Sequence, residues 1–140
     1  MKKVILDTNV ILDFLLRREP NYVYSQEIIN EIVNGRVKGY ITASMATDIF
    51  YLLQKINGKT FALNSLDDLL VILDVLSVYR DDVFKALKSD WVDFEDCLQA
   101  QVAIRSGMDA IVTRNVTDFT QAKNIDIVLP NNFLQYLALP

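Results

Sequence analysis

The chain has 140 residues, 18 Asp and Glu against 14 Lys and Arg for a formal net charge of −4, one cysteine and no histidine. The missing imidazole excludes Ser-His-Asp and Cys-His relays, most zinc sites and His-pair nucleases, leaving carboxylate, lysine, tyrosine, thiol or cation-activated water to handle protons. The length suits one domain spanning 1–140 with its own core, and the lone Cys97 cannot close an internal disulfide.

In chain order, Lys3 to Asp7 reads as a short buried strand ending on a carboxylate, with Thr8 or Asn9 placed to cap a helix carrying Val10, Ile11, Phe14 and Leu15. Pro20 ends that element. Tyr22 to Asn34 has helical apolar spacing through Ile28, Ile29, Ile32 and Val33, and Gly39 to Thr42 is a strand. Ser44 opens a third helix with Met45, Ile49, Leu52, Leu53 and Ile56, which Asn57-Gly58 stops.

Leu66 to Leu76 reads as a further helix and Ser77 to Tyr79 as a strand, followed by a short helix from Asp81 or Asp82 to Lys88. Asp93 is placed to cap a helix that Gly107 ends, Ala110 to Thr113 and Ile125 to Leu129 are strands, and Pro130 opens a C-terminal helix. Strands alternating with helices predict an α/β fold, a three-layer α/β/α sandwich with a mainly parallel central sheet. No Gly-rich phosphate loop or dinucleotide fingerprint is present.

In an open parallel sheet, ligands bind beyond the carboxyl ends of the strands. Asp7 falls there, and Asp48, Asp96 and Asp118 follow other apolar segments that the fold would gather at the same edge. Two carboxylates 4 Å apart repel by about 4 kcal/mol at the effective dielectric of a protein surface, so such a cluster calls for a cation. Hard oxygen ligands favour Mg2+ or Mn2+. Taken singly, Asp48, Asp93 and Asp96 also read as acids favoured by a helix dipole, and Asp118 as a turn former. Asp7 is costly to bury unpaired at a strand end, and its plainer use is as a cap on the following helix. Asp13, Asp67, Asp68, Asp74, Asp81 and Asp82 read as solvated faces or caps.

With these residues in hand, the chain resembles the PIN-domain family, and within it the small VapC-like toxins. The resemblance rests on Val4-Ile5-Leu6-Asp7-Thr8-Asn9, Thr47-Asp48, Asp93-Phe94-Glu95-Asp96, and Ile111-Val112-Thr113-Arg114-Asn115 through Asp118-Phe119. It implies an acidic pocket with one or two Mg2+ or Mn2+ ions, held by Asp7, Asp48, Asp96 and Asp118, and endoribonuclease action on single-stranded or looped RNA. Thr8, Asn9, Thr113 and Asn115 would then be polar support. Asp48 departs from the glutamate of many relatives and is one methylene shorter. Helical spacing alone leaves Asp93 and Asp96 both open as the third acid.

An RNA substrate would need positive groups. Arg114 is the leading phosphate contact, with Arg17, Arg18, Lys38, Lys55 and Lys59 as others and Tyr22, Tyr51 or Phe119 as stacking faces. The resemblance further implies a homodimer and an antitoxin partner. No apolar run is long enough to span a membrane and Met1-Lys2-Lys3 leads straight into the first strand, so a cytoplasmic location is expected. Two other readings compete: a catalytically weak PIN-like scaffold that binds RNA or protein, and a receiver-like phosphoacceptor, which would want a lysine where Thr113-Arg114 stands.

Overall fold

The computed structural model describes residues 1–140 throughout. Five parallel strands, β1 (Lys3–Leu6), β2 (Lys38–Thr42), β3 (Asp74–Leu76), β4 (Ala110–Val112) and β5 (Asp126–Val128), form one sheet in the order β3-β2-β1-β4-β5. Receiver-like domains use the order 2-1-3-4-5, so the topology removes that reading.

Seven helices connect the strands: α1 (Thr8–Leu15), α2 (Tyr22–Val33), α3 (Ala43–Asn57), α4 (Lys59–Ile72), α5 (Arg80–Lys88), α6 (Phe94–Arg105) and α7 (Phe133–Ala138). The sheet grows from β1 to β2 and β3 on one side and to β4 and β5 on the other. Right-handed crossovers therefore put α1 to α4 on one face and α5 and α6 on the opposite one. The packing agrees, with α3 against α4 and α1, α2 against α1 and α7, and α5 against α6.

β1 and β4 are covered on both faces, which is why Val4-Ile5-Leu6 and Ala110-Ile111-Val112 are unbroken apolar runs at 0 % exposure. Met45, Ile49 and Leu53 turn the buried stripe of α3 onto this core. Gly39 sits where β2 meets α2, and a Cβ there would stand 2.5 Å from Ile32 Cδ1 and 2.6 Å from Leu73 Cδ2.

Three expectations move. The helix expected over Leu66–Leu76 is α4, which starts at Lys59, because Gly58 at φ +87° reverses the chain in one residue and lets a helix follow α3 at once. The strand expected at Ser77–Tyr79 is β3, three residues earlier, where Val75 pairs in parallel with Ile41. The cap of α1 is Asp7 itself rather than Thr8 or Asn9: its φ/ψ of −62°/154° is extended and its carboxylate accepts from Thr8 N.

Candidate functional site

β1 leads to β2 on one side while β4 arrives on the other, so the connections diverge at the carboxyl ends of β1 and β4. That divergence opens a crevice. Asp7 follows β1 and Thr113 follows β4, and Asp7 N donating to Val112 O at 2.9 Å locks the two strand ends together. Thr113, fully buried, donates its hydroxyl to Asp7 Oδ2 at 2.7 Å, while Thr8 N donates to Oδ1 at 2.8 Å. Thr113 Oγ1 in turn accepts from Asn115 N at 3.0 Å. Both Asp7 oxygens are therefore held at fixed positions.

Three further elements close the pocket. Thr42, at the end of β2, caps α3 by accepting from Met45 N at 3.2 Å, and Asp48 lies further along that helix. Asp93 caps α6 by accepting from Asp96 N at 2.9 Å, which leaves the Asp96 carboxylate on the first turn facing the same space. Asp118 rides on a 3-10 turn, Val116–Phe119, anchored from below by the fully buried Phe119 against the Trp91 ring.

The resulting pocket has a volume of about 750 Å3, and its 16 lining residues include Asp7, Asp48, Asp93, Glu95, Asp96 and Asp118 but no lysine or arginine. Thr8, Asn9 and Asn115 line it as well. A smaller, mainly apolar cavity of about 570 Å3 lies between β5 and α7 and is lined by residues such as Ile127, Leu129 and Tyr136.

The electrostatics follow from this crowding. Burial pushes the Asp96 carboxyl up to about 7, helped by the negative charges of Asp93, Asp7, Asp118 and Glu95. Asp7 is also raised, first by burial and further by Asp118 and Asp93, although its bonds from Thr113 and Thr8 pull the other way. Glu95 is raised, chiefly by Asp48 across the pocket. The four acids read from the sequence thus share one pocket with two more, Asp93 and Glu95. No three of them converge into a ready-made coordination sphere.

The basic residues behave differently. Arg114 turns away from the pocket to Asp13, with Nε 2.8 Å from Oδ2 and Nη2 3.4 Å from Oδ1. The Nε contact is poorly aligned as a hydrogen bond, so charge holds the pair. Arg18 Nε reaches the same carboxylate at 2.9 Å. Asp13 is therefore no solvated acid: it is 2 % exposed and ties α1 to the loop after β4. Asp82, also expected at a solvated face or cap, caps Tyr79 N at 2.8 Å and is buried against Arg105 Nε at 2.9 Å. Arg17, Lys55 and Lys59 do not line the pocket, and Lys38 starts β2 at the opposite edge of the sheet. Phe119 is fully buried and offers no stacking face, and Tyr22 stacks on Phe14 instead. Tyr51, 64 % exposed and lining the pocket, is the aromatic that remains available.

Sequence reasoning passed over Glu95 in favour of Asp96 and missed Gln99 as a pocket residue. Their positions next to and three after Asp96 on α6 are the signal that identifies them.

This combination of a parallel sheet, a crevice at its switch point and clustered strand-end acids defines a class. The PIN domain profile matches residues 3–117, and the chain belongs to that family. Ribonuclease VapC1 of Aquifex aeolicus (strain VF5) is similar at 25 % identity over 139 residues, covering 96 % of this chain and 94 % of that one. Among solved structures, the DNA-bound VapBC from Salmonella typhimurium aligns with a TM-score of 0.71 and 21 % identity over 93 % of this chain and 99 % of the other. VapC20 of Mycobacterium tuberculosis, described as a Sarcin-Ricin loop cleaving toxin, aligns at 0.62 with 13 % identity, over 77 % and 86 % of the two chains. At those identities the structural likenesses speak for the fold.

Proposed function

We propose that this protein is a metal-dependent endoribonuclease that cleaves single-stranded or looped RNA, and the toxin of a toxin-antitoxin pair. One observation carries the reading: a PIN-fold pocket lined by six carboxylates has no lysine or arginine of its own. A phosphodiester cannot approach that much negative charge unless cations enter with it. The curated relative named a ribonuclease and the solved VapBC assemblies support the activity and an antitoxin partner.

The donor set fits Mg2+ or Mn2+, since every titratable ligand is a carboxylate. Asp7, Asp96 and Asp118 would hold the essential ion, with Asp48 completing the site or a second one. Glu95, a methylene longer, stands near enough to Asp48 to feel its charge. When bound, the cation would lower the pKa of a water and neutralise charge on the phosphate.

The chain's own residues do the rest. Thr113 and Thr8 N keep both Asp7 oxygens oriented, so the carboxylate binds without reorganising. Asp96 holds a proton up to about pH 7 and must release it on loading. Asn9 and Asn115 offer neutral donors on the pocket wall. In-line attack by water on the phosphodiester leaves a 5′-phosphate and a 3′-hydroxyl.

Cleavage of single-stranded RNA in Mn2+ by the wild type and by Asp7→Asn tests this. Loss of a residue that only supports a ligand costs about 10- to 100-fold, so removing a direct ligand should cost at least about 100-fold. Undiminished cleavage by Asp7→Asn refutes the assignment. The separation of the carboxylates favours one rival, a PIN scaffold with weak metal binding that acts by holding RNA or protein. That scaffold would bind RNA in Mn2+ without cutting it. Homodimerisation and a cytoplasmic location belong to the same proposal, and no helix is long and apolar enough to cross a membrane.

A further inference from the structure

Two basic side chains share one buried acid. Arg18 Nε lies 2.9 Å and Arg114 Nε 2.8 Å from the Asp13 carboxylate. The other ion pairs of the protein, Arg36 with Glu31 and Arg105 with Asp82, match one charge with one. Asp13 therefore neutralises one guanidinium and leaves a surplus positive charge. Neutralising a buried carboxylate needs only one arginine, as Arg105 shows for Asp82.

The surplus charge is accessible from outside. The two side chains are 39 % and 33 % exposed. No hydrogen bond within the protein takes up Nη1 of either, and of their nitrogens only Arg114 Nε is shut off from solvent without a bond. Asp13 holds both planar forks in place, so little side-chain freedom is lost when an anion docks on them. Such forks match the paired oxygens of a phosphate.

The cluster stands beside the acidic pocket rather than in it. Arg18 Nη2 donates to Asn9 O at 3.4 Å, and Arg114 lies in the chain between Thr113, which holds Asp7, and Asn115. Asn9 and Asn115 both line the pocket. A strand whose reacting phosphate lies over the acids carries its neighbouring phosphates out past this wall.

We propose that Arg18 and Arg114, clamped together by Asp13, form a phosphate-binding site for the RNA backbone next to the point of cleavage. This rests on the ribonuclease reading and adds where the flanking strand is held. Cleavage brings a row of phosphates to this wall in every turnover, which favours RNA over an acidic protein segment as the occupant.

The test is steady-state cleavage of a short single-stranded RNA oligonucleotide in Mn2+, at several KCl concentrations, by wild type, Arg18→Gln and Arg114→Gln. Each substitution leaves the other arginine on Asp13, so the buried carboxylate stays paired, and thermal melts check that both variants fold. A contact that holds substrate and transition state alike acts on KM. KM should therefore rise about five- to tenfold in each variant, with kcat and calorimetric Mn2+ affinity unchanged. Loss of one phosphate contact should also reduce the slope of log(kcat/KM) against log[KCl] by about 0.7. A fall in kcat and Mn2+ affinity at an unchanged salt slope would mean that the pair only ties α1 to the loop carrying Asp118, and overturns the proposal. So does wild-type cleavage with KM and slope unaltered in both variants, including the case in which a hexaglutamate peptide inhibits the wild type alone and claims the site for a protein partner. A wild type that does not cleave RNA in Mn2+ overturns the ribonuclease reading and this site with it.

Discussion

Replacing Asp96 by Asn should flatten the pH dependence of stability in the metal-free protein. The rise of the Asp96 pKa from 3.8 to about 7 is roughly three units, or about 4 kcal/mol at 1.36 kcal/mol per unit. Screening by water in the open pocket brings this to about 2 kcal/mol. The sign follows from which state keeps the proton: folded Asp96 stays protonated where unfolded Asp96 has ionised. Stability from this group is therefore fully present below about pH 4 and is lost as pH rises through about 7. Between pH 5 and pH 8 the wild type should lose about 1.4 kcal/mol, some 4 °C in melting temperature. Asp82, held below its usual range by Arg105 and Tyr79 N despite its burial, works in the opposite sense and only at more acid pH. Thermal melts of both proteins in chelator across that range are the assay. Asp96→Asn should melt above the wild type at pH 8 and show a much smaller slope; parallel curves would refute the reasoning.

Gly39→Ala forces a methyl group against Ile32 and Leu73 at 2.5–2.6 Å, and urea titration should show a loss of about 1–3 kcal/mol from overpacking. Asp13→Ala leaves Arg18 and Arg114 without their shared carboxylate. Because both arginines are partly exposed, the expected loss is about 2 kcal/mol, less than for a fully buried pair, again read from urea midpoints. Asp48→Glu lengthens the reach across the pocket, and cleavage at limiting Mn2+ should rise relative to the wild type if Asp48 is a ligand.

The legible parts of the fold were those where burial writes an unbroken pattern. β1 and β4 lie under helices on both faces, so their apolar runs end at Asp7 and Thr113, and the crevice follows from strand order. Asp93 as the cap of α6 was readable because a carboxylate three residues before the Asp96 N–H has one obvious use. The stretch from Lys59 to Tyr79 was misaligned because its leucines and valines serve α4 and β3 alike, and only pairing with β2 sets the boundary. Asp13 looked solvated because its partners, Arg18 and Arg114, lie five and 101 residues away, and the second separation has no local signature. Gln99 was legible only through its place three after Asp96 on α6, since a single glutamine in a helix usually faces water and its burial depends on the pocket wall.

Calorimetric titration of Mn2+ into wild type and Asp7→Asn at pH 8 bears most directly on the acidic pocket as a cation site. The wild type should take up the ion saturably, and the variant should bind far more weakly. Absence of saturable uptake by the wild type, or equal uptake by both proteins, would contradict the assignment.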